Sequence, residues 1–216
     1  MFKKKCTIFI AVFISTIILL IITLYFTLIY FSVDTNIDVS DFEVIFNYLE
    51  DGLIICSLGN NLWSDYFANL STTDKRFSHM GIIRVNDGNI SVIHSSGTIK
   101  LGNDFVKEEP FDLYISDIRA IGLYKLNDIE SYKVVQKAIN YIGVPFDWQF
   151  DMLDDSKLYC TELLYVILKS IEQPIELETV FVEKFNNNII PLEAISNSPY
   201  FKEVFYIDNL CDIISK

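Results

Sequence analysis

The most prominent hydropathy feature is the uncharged run at 6–33, "CTIFIAVFISTIILLIITLYFTLIYFSV". Its 28 residues correspond to about 42 Å of helix at roughly 1.5 Å per residue, enough to cross a bilayer with tilt. A cleavable secretory signal has an apolar core of only about 7 to 15 residues followed by small residues at the cut, and this run has neither. The pattern predicts an uncleaved membrane anchor over 1–33, a polar linker over 34–41 and one domain over 42–216. Lys3, Lys4 and Lys5 precede the run and acids follow it. That asymmetry predicts a single-pass membrane protein with the bilayer as partner, a cytoplasmic amino terminus and the domain on the far side.

Beyond the linker the pattern shortens into globular elements. Residues 42–50 suggest a short helix, and "LIICSL" (53–58) a buried strand. Residues 80–86 and 89–95 form a predicted hairpin around Asp87-Gly88, a strong short turn signal between paired strands. "RAIGLYKL" (119–126) is a further strand. A helix is predicted over 130–142, with Asp128 as its cap, Val134, Val135, Ala138, Ile139 and Ile142 on one side, and Gly143 as its stop. Strands mixed with segregated helices indicate an α+β domain.

The hairpin fixes a register. A two-residue loop at Asp87-Gly88 sets Val85 opposite Ile90, Ile83 opposite Val92 and Gly81 opposite His94. Strand alternation then puts His79 and His94, the two histidines of the chain, on one face as diagonal neighbours, roughly 7 to 8 Å apart at the backbone. That face is the apolar one, since its reverse carries Arg84, Asn86, Asn89 and Ser91. Two imidazoles on a core-facing surface need hydrogen-bond partners, and one arrangement that supplies them is a base with an orienting residue behind it.

A thiol is available to complete such a site. From Cys160 an apolar stripe continues through Leu163, Leu164, Ile167 and Ile171, so the sulfur points to the core side of a helix. "DDS" at 154–156 offers start signals that put Cys160 in about the first turn, where exposed amides and the helix dipole stabilise a thiolate and an adjacent imidazolium would stabilise it further. The residues alone leave three readings: ordinary core packing, a Cys160 nucleophile with His79 and His94, or zinc held by His79, His94 and Cys160. Glu162 points elsewhere on its helix and is expected to make a structural or capping contact. Phe146, Asp147, Trp148 and Phe150 either wall a cleft or cover the core, and Phe146, Asp147 and Tyr159 are the candidate substrate-binding residues.

Composition narrows the class. With 51% hydrophobic and 21% charged residues, the chain can supply one membrane segment and one sizeable core. The net charge is −12; setting aside the three leading lysines leaves 14 basic against 29 acidic residues beyond position 33. Such a surface repels phosphate backbones, so no nucleic-acid partner is expected. Cys6 falls at the membrane edge, leaving Cys56, Cys160 and Cys211 in the domain without metal-type pairing. In an oxidising compartment Cys56 and Cys211 could bridge and leave Cys160 free. No cofactor is expected.

Several segments resemble the circularly permuted papain-like amidases, the YiiX/YaeF-like branch of the NlpC-type superfamily. "RFSHMGII" (76–83) resembles that family's Ser-His-Val-Gly-Ile segment. "IGVPFDWQFDMLDDSKLYCTELLY" (142–165) resembles its Gly-x-x-Tyr-Asp-x-x-Phe run leading to Tyr-Cys-Ser-Glu-Leu, and "VIHSS" (92–96) falls where a third polar residue follows the histidine. "LEDGLIICSL" (49–58) resembles the opening Gly-Asp strand, with Asp51 and Gly52 in reversed order. The similarity covers roughly residues 48 to 205. It implies a permuted papain-like α+β core with a central antiparallel sheet and packed helices, with Cys160 as nucleophile, His79 as general base and His94 as orienting residue, acting on an amide or peptide-like bond. Many relatives carry glutamate at the third position. The His, His, Cys order matches the lecithin-retinol acyltransferase-like relatives, which act on lipid acyl groups, so a lipid acyltransferase or phospholipase is the alternative activity, and a non-catalytic binding module of the same fold the alternative class.

Overall fold

The computed structural model describes residues 15–24, 44–97, 104–171 and 175–208, and the chain divides into a unit over 1–35 and a unit over 36–216. In the smaller unit residues 15–24 are helical with exposed side chains. Among the described residues no helix is long and apolar enough to cross a membrane. The remainder of the 6–33 run and Cys211 lie outside the described residues.

In the larger unit, β1 (Ile54–Gly59), β2 (His79–Asn86), β3 (Asn89–Ser96), β4 (Phe105–Pro110), β5 (Ile118–Leu126) and β8 (Phe201–Asp208) pair antiparallel into one six-stranded sheet, in the order β4-β3-β2-β1-β5-β8. Strands β6 (Val180–Val182) and β7 (Asn187–Ile189) form a separate ribbon. The helices are α1 (Leu62–Ala68), α2 (Phe111–Ile115), α3 (Ser131–Ile139), α4 (Cys160–Lys169) and α5 (Glu193–Ser196). The fold is α+β, as the alternation of patterns predicts.

The β2–β3 hairpin has the predicted register, with Ile83 opposite Val92, Val85 opposite Ile90 and Asn86 opposite Asn89. Asp87 and Gly88 adopt φ 50° and 82°, the positive values that a tight two-residue hairpin turn requires. The predicted polar reverse holds at the turn end, where Arg84, Asn86, Asn89 and Ser91 keep contact with solvent. Further along it fails: Met80, Ile82 and Ile93 on that reverse face are 0% exposed. They pack with Ile54 and Cys56 against Val134 and Ala138 of α3 and Leu163, Leu164 and Ile167 of α4. The histidine face buries Ile55, Ile83, Val92 and Leu123 against Phe111, Tyr114 and Ile115 of α2. The sheet is therefore covered on both sides, and each aliphatic residue sealed in this way contributes about 1.5–3 kcal/mol of transfer free energy.

Two helix starts differ from expectation. Asp128 does not cap α3; it sits in a turn at φ 59°, and Glu130 holds the cap position without a side-chain bond. Helix α4 begins at Cys160 itself and not at 154–156, because Asp154 turns its carboxylate onto the Ser156 amide, 3.1 Å away, and closes a separate turn. Gly143, at φ 94°, turns the chain after α3 so that its amide donates to the Val106 carbonyl on β4, at 2.8 Å.

Gly81 is where register and site meet. A Cβ there would collide with Val92 Cγ1 and come within 3.2 Å of His94 Cβ. Gly81→Ala is therefore expected to cost about 1–3 kcal/mol in urea denaturation. Wild-type stability in that variant would contradict the close packing of β2 on β3.

Candidate active site

Neighbouring strands place a row of polar groups on the α2 face. His79 opens β2, with Ser57 of β1 opposite it. His94 lies near the end of β3 opposite Lys107 of β4, and Glu109 is two residues further along β4, opposite Val92. The diagonal contact between the histidines is direct: His79 Nε2 is 2.9 Å from His94 Nδ1. Tyr114, on α2, stacks on His79 at 6.0 Å between ring centres and meets His94 edge-on at 5.0 Å. Its hydroxyl is 3.0 Å from Ser57 Oγ. Behind the pair, His94 Nε2 is 3.3 Å from Glu109 Oε2, within ion-pair reach but outside hydrogen-bonding geometry. Lys107 Nζ donates to the other oxygen, Oε1, at 2.8 Å.

Helix α4 packs on the opposite face of the sheet, yet its first residue is held at the histidine end of β2 and β3. Several bonds pin it there. Ser95, next after His94, donates to the carbonyl of Leu158. Thr161 Oγ1 donates to the Ile190 carbonyl at 2.7 Å, and the Ile190 amide donates to Tyr159 Oη at 3.0 Å. Glu162 accepts from the Tyr159 amide at 3.2 Å, a contact that caps the helix start. The sulfur lies against the amide of Met80, the residue after His79, and against the amide of Thr161. Cys160, His79 and His94 thus line one cleft of about 270 Å³.

The aromatic loop divides in role. Phe146, Phe150 and Tyr159 line the same cleft. Asp147 instead is 2% exposed and turns into its own loop, its carboxylate accepting from the amides of Gln149 at 2.9 Å and Asp151 at 2.5 Å. Ser57, Glu109 and Tyr114 were not legible as site residues in the sequence. Glu109 lies in "FVKEEP", a segment too polar to announce the edge strand that carries it.

Burial sets the charge states. It pushes the Cys160 thiol up to about 11, although the amides of Met80, Thr161 and Cys160 itself pull the other way. It also lowers the His79 imidazole to about 3, with His94 adding to the effect. His94 is likewise lowered by burial, against the opposing influence of Glu109. Glu109 is held down to about 2 by the His94 ring and then Lys107. Burial therefore works against the expected thiolate–imidazolium couple: loss of hydration outweighs the helix-start amides and favours neutral sulfur and imidazole at rest. Glu162 is raised to about 8 by burial and by the nearby Asp147, Asp155 and Asp151.

No family model and no curated protein matches the chain. Among solved structures it is similar to the crystal structure of metalloprotein YiiX from Escherichia coli O157:H7, DUF1105, with a TM-score of 0.59 and 17% identity, covering 73% of this chain and 97% of that one. The likeness establishes a YiiX-like fold. The zinc reading does not fit the residues present. Among the described residues no three His, Cys, Asp or Glu side chains gather as a metal would need, and the facing nitrogens of His79 and His94 are bonded to each other.

A neutral resting thiol has a kinetic signature. Iodoacetamide alkylation of Cys160 is expected to rise about tenfold per pH unit from neutrality towards pH 11. A rate plateau reached below neutrality would show a standing ion pair instead.

Proposed function

We propose that the chain is a cysteine hydrolase that cleaves an amide or peptide-like bond through an acyl-enzyme on Cys160. The observation that carries this reading is the opening of Cys160 and the bonded His79–His94 pair into one cleft. With Nε2 of His79 occupied by His94, Nδ1 is the ring atom left to act as base. As sulfur attacks the substrate carbonyl, His79 takes the thiol proton, and His94 orients the ring from behind. Because the couple rests neutral, charge separation accompanies attack and does not precede it. Amides at the start of α4 would hold the oxyanion. His79 then returns the proton to the leaving amine, and water, activated by the same ring, releases the acid.

A second reading uses the same intermediate to accept or pass on a lipid acyl group. The apolar walls favour it, since Trp63, Phe67, Leu70, Phe146 and Phe150 surround the polar floor. Bilayer tethering by residues 1–33, with the amino terminus cytoplasmic and the domain on the other side, rests on the charge-free run and the three lysines before it.

The test is intact-mass analysis of the protein incubated with a panel of acyl amides, peptides and phospholipids. The hydrolase reading predicts an acyl adduct on Cys160, no adduct in Cys160→Ser, and turnover reduced on the order of 10²-fold in His79→Ala. Fatty acid release without amide cleavage would move the assignment to lipid acyl chemistry. Absence of both adduct and turnover across the panel would refute it.

A further inference from the structure

The site has a member behind His94 that the hydrolase reading does not use. Glu109 stands third in a line that runs from His79 through His94, on the same face of β2, β3 and β4. His94 is 4% exposed, so its ring nitrogens meet protein groups and not bulk water. We propose that Glu109 is a positioning residue that fixes the tautomers of both histidines, leaving His79 Nδ1 bare to receive the thiol proton. For its catalytic consequence, though not for the tautomers themselves, the proposal rests on the hydrolase reading above.

An ionised carboxylate accepts only, and a neutral imidazole has one N–H and one bare nitrogen. Glu109 is ionised at neutral pH, and both rings are neutral. Glu109 Oε2 lies 3.3 Å from His94 Nε2, outside hydrogen-bonding geometry, and its negative charge favours an N–H over a lone pair facing it, which selects the His94 tautomer with hydrogen on Nε2. That leaves Nδ1 of His94 as an acceptor, so the hydrogen in the 2.9 Å bond belongs to Nε2 of His79. His79 then carries its lone pair at Nδ1. Reversing the first choice reverses both, because two N–H groups cannot point at each other across that bond. The other groups beside the line are Lys107 on β4, Tyr114 on α2 and Cys160 on α4. Tyr114 pairs with Ser57, and Cys160 lies against the Met80 amide.

Lys107 makes the proposal testable. It donates to Glu109 Oε1 at 2.8 Å. In Glu109→Gln the ammonium retains the amide oxygen, so the NH₂ group is presented to His94. His94 must then accept at Nε2 and carry hydrogen at Nδ1, and His79 is forced to carry hydrogen on the nitrogen that should be the base. Glu109→Ala removes the carboxylate without imposing the opposite choice. The glutamine variant is thus the more damaging one, an order that simple loss of packing would reverse.

The experiment is imidazole ¹⁵N NMR at neutral pH on the full-length chain in detergent, with acyl-adduct formation on Cys160 from the acyl-amide panel read in parallel by intact mass. In the wild type both histidines are expected to carry hydrogen at Nε2. In Glu109→Gln both move it to Nδ1, and acyl-adduct formation on Cys160 slows on the order of 10²-fold, with a smaller loss in Glu109→Ala. Adding Lys107→Met to Glu109→Gln frees the amide to turn its oxygen to His94, and the wild-type tautomers return. Nε2–H signals unchanged in Glu109→Gln would overturn the proposal, as would a wild-type His94 carrying hydrogen at Nδ1, a measurement that needs no variant to fold. Tautomers that flip while acyl-adduct formation on Cys160 stays unchanged would uphold the relay and sink the hydrolase reading.

Discussion

The hydrogen bond between His79 and His94 is the constraint on which the rest of the site depends. It joins residues whose ring nitrogens are 2.9 Å apart across two strands, and it exists because a two-residue turn at Asp87-Gly88 allows one register and no other. A slip of one position would send one ring to the opposite face of the sheet. Gly81 contributes by having no side chain where Val92 and His94 need room. Tyr114 closes the arrangement from α2, lying over both rings and bonding Ser57 beneath them.

The same burial that orders the rings removes their charge. A thiol at the start of a helix is ordinarily easier to ionise, and here three amides act in that sense on Cys160. Burial acts more strongly, and His79 loses basicity for the same reason. Burial favours a neutral couple at rest, backed by the Glu109 carboxylate, which is itself paired with Lys107. On the proposed hydrolase reading, the barrier is lowered at the moment a proton moves, when the imidazolium of His79 gains a partner in His94 and, through it, the carboxylate of Glu109.

How much of this the sequence showed differs by element. The hairpin was legible because Asp-Gly between alternating strands carries its own register, and the diagonal histidines followed from counting. Helix α4 was legible from its apolar stripe, but its start was not. Asp154 and Ser156 have the residue types of a cap and form a separate turn, whereas the helix start is secured by Ser95, Thr161 and Tyr159 through bonds to distant parts of the chain. Asp147 carries no local sign that its carboxylate is absorbed by its own loop. Strand β4 escaped notice because an edge strand has one side free of packing, so "FVKEEP" lacks the apolar run that marks central strands. With β4 unread, Glu109 could not be placed behind His94. The two-sided covering of the sheet was hidden for a related reason: Met80, Ile82 and Ile93 share a face with the polar turn-end residues, and what buries them arrives from α3 and α4.

The central claim is that the thiol of Cys160 and the imidazole of His79 are neighbours in one cleft, and a short bifunctional alkylating agent tests it most directly. Treatment with 1,3-dibromoacetone followed by peptide mapping should yield one cross-linked species joining the Cys160 and His79 peptides, with Cys56, which is 0% exposed, left unmodified. Cys160 carrying a single, unbridged arm, or bridged to any residue other than His79, would contradict the account.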